Sequence, residues 1–463
     1  MPFLRHLCFG LCTLSLTAAA SFADTSDSAD NQPSPSPSAP ATAIPETNGT
    51  PSPAANNAAN NHAPLGEEIY VFRPQLLWTN ASAPLLFPIH WMAATSQGML
   101  LAGSLFSKTF YVYNLLTGEC RARQSLAAPS WASPLVIGQT AVFNDTNATV
   151  SSFNSETCES EWERVPHRPR RRSGDLRLQF FRPRVCKTKP LLFNDKLVSM
   201  DTDGRVTFYP NKSPEEGGMP DFLTLTSSPD ELGTFLNTPA ISRQILYACT
   251  SVGHLHFVNL NNIAENGMLK VHTGVAEVTT EKEVRVPVLT ASRFIYVTTM
   301  DGTVYCYRAF RKYSSSKYIE PTLVWQTKLA GQSRYQSNRR GRPIVMPVLD
   351  ETQSTLFVCA KDCVQALDAE TGEILWKHSV PQGIAAPPLL WKQYLLIVSE
   401  KQSSQPAKLA ALSPDSGETL NFHELSGSPS CEPLLWGNYL VLGYRNGYAE
   451  CYHLGEAENS DNS

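Results

Sequence analysis

Two arginine-rich stretches are the strongest chemical signal in this sequence. Between Arg164 and Lys189, the basic residues Arg164, Arg168, Arg170, Arg171, Arg172, Arg177, Arg182, Arg184, Lys187 and Lys189 meet one acid, Asp175, in a chain whose formal charge is −4. A second cluster comprises Arg334, Arg339, Arg340 and Arg342. Arginine offers a rigid fork of donors that matches carboxylate or phosphate, and a surface of one sign steers an oppositely charged partner toward it. The candidate partner-binding residues are therefore Arg168, Arg170, Arg171, Arg172, Arg182, Arg184, Arg339, Arg340 and Arg342. The competing reading is a solvated loop balanced by Asp24, Asp27 and Asp30 or by Glu456, Glu458 and Asp461. Nucleic acid is disfavoured as the partner, because Phe180-Phe181 is the sole aromatic platform among these cations and single-strand binding needs stacking surfaces.

Catalytic and metal chemistry have less to stand on. His254 and His256 alternate as H-x-H, which on a strand places both on one face and makes a metal pair conceivable. With no carboxylate or third histidine close in sequence, a solvent-facing polar pair is the simpler account. There is no Ser/His/Asp spacing, nucleophile elbow or phosphate loop, so no catalytic residue, metal or cofactor is expected. Cys120, Cys158, Cys186, Cys249, Cys306, Cys359, Cys363, Cys431 and Cys451 follow the N-terminal apolar run. An odd number in an exported chain leaves at least one unpaired or intermolecular. Cys249 and Cys306 sit in strand-like runs and read as small buried hydrophobes. Cys359 and Cys363, four apart across a hairpin turn, read either as a disulfide or as unpaired strand thiols.

The elements that carry these residues follow from self-similarity. A proline opens an apolar strand at Pro88, Pro134, Pro190, Pro239, Pro287, Pro347, Pro388 and Pro433, at intervals of about 40 to 60 residues, the range of propeller blades. The clearest copy, 344–380, holds four strand-like runs, the last being Glu373 to His378 after the turn Glu370-Thr371-Gly372. Asp203-Gly204, Asp301-Gly302 and Asn446-Gly447 suit hairpin turns that need positive φ. The eighth copy stops after its third strand, at Tyr448 to Tyr452, whereas Gln75-Leu76-Leu77-Trp78-Thr79-Asn80 is an outer strand with no blade. Pairing the two would close the ring and remove exposed edges. The prediction is an all-β, eight-bladed β-propeller of four-stranded antiparallel blades, closed by an N-terminal outer strand. Seven blades plus a stray hairpin is the alternative. Every connection from an outer strand to the next inner strand should then leave one face, so both arginine clusters should share it.

The flanking segments are compositional. Residues 1–23 have a basic start, a short apolar run and a Ser21-Phe22-Ala23 ending, as in a cleaved signal peptide. The apolar run is too short for a membrane span, so no transmembrane segment is expected after cleavage; an uncleaved anchor is the alternative. Residues 24–66 are rich in Pro, Ser, Ala and Asn and cannot offset their ordering entropy by burial, which predicts a disordered linker. The propeller is assigned to 67–456 and an acidic tail to 457–463.

The run Ala366-Leu367-Asp368-Ala369-Glu370-Thr371-Gly372-Glu373-Ile374-Leu375-Trp376 resembles the tryptophan-docking repeat of quinoprotein (PQQ-like) propellers, with weaker copies at Asn114 to Gly118, Asn154 to Thr157 with Trp162, and Ser413 to Gly417. The resemblance implies that Thr-Gly turns join third and fourth strands and that tryptophans pack between blades. It assigns structural roles to Trp78, Gly118, Trp162, Trp325, Gly372 and Trp376. The superfamily has two main destinations. Quinone-dependent dehydrogenases bind a quinone and calcium beside an adjacent-cysteine disulfide, and no Cys-Cys pair occurs here. Outer-membrane assembly factors similar to BamB are periplasmic lipoproteins that bind a protein partner, although no convincing lipobox is present. The expected function is a non-enzymatic periplasmic or secreted scaffold with a basic loop face for a protein or anionic envelope component. A quinone-dependent dehydrogenase or a degenerate quinone-binding propeller is the alternative.

Overall fold

The computed structural model describes residues 70–80, 86–165, 185–211, 221–224, 233–260, 274–276, 283–308, 322–329, 346–360 and 362–456, all within the compact unit Ser52–Ser463. They form eight four-stranded antiparallel sheets, seven of them meanders in chain order from inner to outer strand. Blades 1 to 7 cover 91–125, 135–164, 191–224, 240–276, 289–328, 348–379 and 389–425, and blade 8 covers 434–453. The eight sheets rule out the seven-bladed grouping.

Blade 8 takes its outer strand from the start of the chain. Gln75–Thr79 pairs antiparallel with Ala449–His453, in the register Gln75↔His453, Leu76↔Tyr452, Trp78↔Cys451 and Thr79↔Glu450. The seam continues past the ladder. Arg73 N–H donates to Leu454 O at 2.8 Å, and Ala449 N–H donates to the Asn80 side chain at 2.6 Å. The orphan strand read from the sequence therefore fills the vacancy predicted for it.

The core lies between blades. Second strands such as Tyr394–Val398 and Ile245–Cys249 are almost wholly buried, because both faces of each sheet pack on a neighbour and so both parities of the strand are apolar. One cluster joins Tyr296, Val304 and Trp325 of blade 5 to Leu356, Val358 and Leu367 of blade 6, and another joins Val441 and Ala449 of blade 8 to Leu100 and Tyr113 of blade 1.

A tryptophan on each of several outer strands docks on the third-to-outer turn of the next blade. The Trp78, Trp325 and Trp376 indoles donate to Leu115 O (2.7 Å), Ala369 O (3.2 Å) and Pro414 O (2.7 Å). Each ring lies where a Cβ on the turn glycine would fall, 2.5 Å from Gly118, 2.5 Å from Gly372 and 2.4 Å from Gly417. These glycines also hold φ of +71°, +75° and +71°, so the ring and the backbone both exclude a side chain. Trp162, half-buried, packs against a cluster that includes Tyr209 of blade 3. In blade 1 the register puts Ala122, and in blade 7 Asn421, where blades 2, 5, 6 and 8 have tryptophan, and the turn of blade 2 that faces Ala122 has Cys158 at φ +60° in place of glycine. The turn gives up its glycine where no indole docks.

Two sequence-level expectations are corrected. His256 lies on the strand Leu255–Asn259 but His254 precedes it; His256 is fully buried, its ring 5.2 Å from that of Phe235. The two histidines are neither a metal pair nor a solvent-facing pair, because the blade packs His256 into the core as it would an aromatic residue. No disulfide joins Cys359 and Cys363, nor any other of the nine cysteines. Cys359 pairs with Val364 in the hairpin, so Cys363 points to the opposite face: Cys359 packs toward blade 7 and Cys363 toward blade 5. Among the described residues no helix is long and apolar enough to cross a membrane.

Candidate functional site: the loop face and channel mouth

The meander divides the ring into two faces. Inner-to-second hairpins and Thr-Gly turns share one, the turn face. Second-to-third hairpins and outer-to-inner connections share the other, the loop face. Both ends of the ring sequence lie on the turn face. Tyr70 O accepts from Gln393 Nε2 and Tyr394 Oη in the first hairpin of blade 7, and Val71 N–H donates to Glu456 O.

Arg168, Arg170, Arg171, Arg172, Arg182 and Arg184, and likewise Arg339, Arg340 and Arg342, lie outside the described residues. What is described is where the chain leaves and returns. Both segments follow an outer strand and precede an inner one, as the sequence reading required. On the return side, Lys187 and Met346 line a cavity of about 220 Å³ at the centre of the ring, on the loop face. The other walls come from the entries to further inner strands: Trp131, Asn237, Thr238, Arg285, Pro387 and Glu432 among them.

Polar groups here have defined settings. The Lys187 ammonium sits 4.4 Å from the centre of the Trp131 ring, a cation–π arrangement. Lys189 N–H donates to Thr238 Oγ1 at 2.9 Å. Burial lowers the proton affinity of the Lys189 amine, and the charge of Glu432 opposes that effect. Arg285 pairs with Glu283, and Asn237 Nδ2 donates to Val284 O at 3.2 Å. Two carboxylates of the loop-face hairpins are committed to backbone. Asp145 accepts from Asn147, Thr149 and Ala128 N–H groups at 2.8–3.0 Å, and Asp201 accepts from Asp203 and Arg205.

The same face exposes apolar side chains. Leu86, Phe87, Phe106, Trp131, Val165 and Val252 are 81, 42, 68, 42, 71 and 45% exposed, all on its connections and hairpins. The turn face offers Leu116 alone among the described large hydrophobics, and the remaining exposed ones lie on outer strands. Singly exposed apolar residues are ordinary; their collection on one face is not. Sequence reasoning missed this group and the channel mouth. The usable signal was position relative to the blade-opening prolines: Trp131 and Lys187 stand three before Pro134 and Pro190, while Glu432 immediately precedes Pro433.

A quinone–calcium centre can be tested against these residues. Calcium takes six to eight oxygen ligands, usually with several carboxylates. Among the described residues no three His, Cys, Asp or Glu side chains converge as a metal would need, and Glu432 is the carboxylate that the cavity offers. The volume also falls below the range of about 300–1,000 Å³ that encloses larger ligands. The donor set does not fit that group.

The fold and its docked tryptophans define a tryptophan-docking propeller of eight blades. A family model described as outer membrane protein assembly factor BamB matches residues 67–312 and 320–439, and the chain belongs to this family. No curated protein sequence matches it. Among solved structures it is similar to quinohemoprotein alcohol dehydrogenase from Comamonas testosteroni (9% identity, 84% of this chain and 78% of that one, TM-score 0.59). It is also similar to the computationally designed Ika8 protein (12% identity, 80% and 97%, TM-score 0.56). BamB from Moraxella catarrhalis aligns at 14% identity over 79% and 85% of the two chains, with a TM-score of 0.40. At such identities the structural likeness concerns the fold.

Proposed function

We propose that this chain is a non-enzymatic scaffold of the cell envelope, exported by residues 1–23 and carried on a linker, 24–66, whose propeller (67–456) presents its loop face to a protein partner. Residues 457–463 form an acidic segment after it. The observation that carries this reading is the concentration of exposed Phe87, Phe106, Trp131 and Val165 on the loop face. Aromatic residues and arginine are the groups enriched at interface centres. The arginine segments join this face by connectivity, and in this reading they attract an anionic surface on the partner.

The test is recovery of partners from envelope extract by the full chain and by two variants. Phe106→Ser with Trp131→Ser removes apolar contacts; serine at Arg168, Arg170 to Arg172, Arg339, Arg340 and Arg342 removes charge. A specific partner lost with the first variant and weakened with the second supports the proposal. Unchanged recovery by both, or quinone-dependent dye reduction by the purified protein, contradicts it.

A further inference from the structure

The channel mouth is chemically lopsided. Its entries to blades 3, 4 and 5 supply, in order, Lys187, then Thr238, then Arg285. Across the cavity, the entries to blades 6 and 7 supply Met346 and Pro387. A cationic arc therefore faces an apolar wall, with Trp131 at the margin of the arc beneath Lys187. Two residues beyond Lys187, burial lowers the proton affinity of Lys189 and the charge of Glu432 opposes that effect. Arg285 engages Glu283 through Nε, and a guanidinium has five N–H donors, so the rest of the fork can serve a second acceptor. Glu432 sets a limit, because its negative charge on the cavity wall penalises a ligand bearing many charges.

We propose that this mouth is a receptor for a single carboxylate on an extended peptide segment: Lys187 and Arg285 hold the carboxylate, and the Met346–Pro387 wall takes the adjoining apolar chain. The proposal rests on the reading of the loop face as partner-binding and names the chemistry that its centre recognises. The cavity of about 220 Å³ admits a side chain or a chain end and little more. An internal Asp or Glu and a C-terminal carboxylate offer the same group to the arc.

The experiment follows the Trp131 indole N–H resonance of the full chain, assigned with Trp131→Phe, during titration with four probes. These are a blocked pentapeptide with a central Glu, its Gln counterpart, the Gln peptide with a free C-terminal carboxylate, and sodium acetate. The blocked Glu peptide, the free-carboxylate peptide or both should bind at least tenfold more tightly than the blocked Gln peptide and than acetate. Which one does so identifies the source of the carboxylate. Arg285→Gln and Lys187→Gln, whose thermal midpoints check folding, should each reduce that preference several-fold, and the double variant should abolish it. Equal shifts with blocked Glu and Gln peptides, no shift with either carboxylate peptide, or acetate binding as tightly as the peptides would overturn the proposal. A failure here with partner recovery still dependent on Phe106 and Trp131 removes the carboxylate receptor alone; loss of that dependence removes the loop-face reading itself.

Discussion

His256 shows how a residue can be legible in type and misleading in role. Its alternation with His254 suggested a shared strand face, but the strand begins one residue after His254, and the ring is buried with neither nitrogen hydrogen-bonded among the described residues. Burial, with a smaller contribution from His254, lowers its pKa to about 4. The unfolded chain, with an ordinary histidine near 6.5, takes up the proton first. Stability should therefore be constant above about pH 6.5, fall as the pH drops, and lose about 2 kcal/mol from this residue by pH 5. Urea unfolding at pH 7 and pH 5 checks this: His256→Leu should remove that part of the acid loss and, by deleting unsatisfied polar atoms, should not destabilise the fold at pH 7. Gly372 makes a second residue-scale prediction. Gly372→Ala meets both the Trp325 ring and an unfavourable φ, whereas Gly437, at φ +57° with nothing within 4 Å of a Cβ, faces the backbone term alone. Gly372→Ala should cost at least about 1–2 kcal/mol more than Gly437→Ala, measured by denaturant unfolding.

Among elements, the closing strand was the most legible, because an outer-strand pattern without a blade and a blade without an outer strand are complementary deficits in one sequence. The tryptophan repeat was legible for the same reason: Trp376 and Gly372 recur with their spacing. Its exceptions were not, since Ala122 opposite Cys158 becomes meaningful only once blades 1 and 2 are seen to be neighbours. Removing Gln75–Thr79 uncovers the third strand of blade 8 and leaves an open edge. The truncated chain should self-associate or aggregate in size-exclusion chromatography with light scattering. Trp78→Ala, which keeps the strand but empties the docking site on blade 1, should cost about 3 kcal/mol without changing the association state.

For the whole molecule, topology supplied what no motif could. The meander alone puts all outer-to-inner connections on one face, so the positions at which both arginine segments join the ring were deducible before any side chain was placed. The exposed aromatics of that face were hidden in the sequence because Phe87, Phe106 and Trp131 come from three separate connections, and only ring closure gathers them. The central claim is that partners meet the loop face and not the turn face. A photo-crosslinking side chain installed at Phe106, and separately at Leu116, the exposed apolar residue of the turn face, tests it directly in the intact envelope. The account predicts a discrete partner adduct from position 106 and none from position 116. Adducts from both positions alike, or from position 116 only, would contradict it.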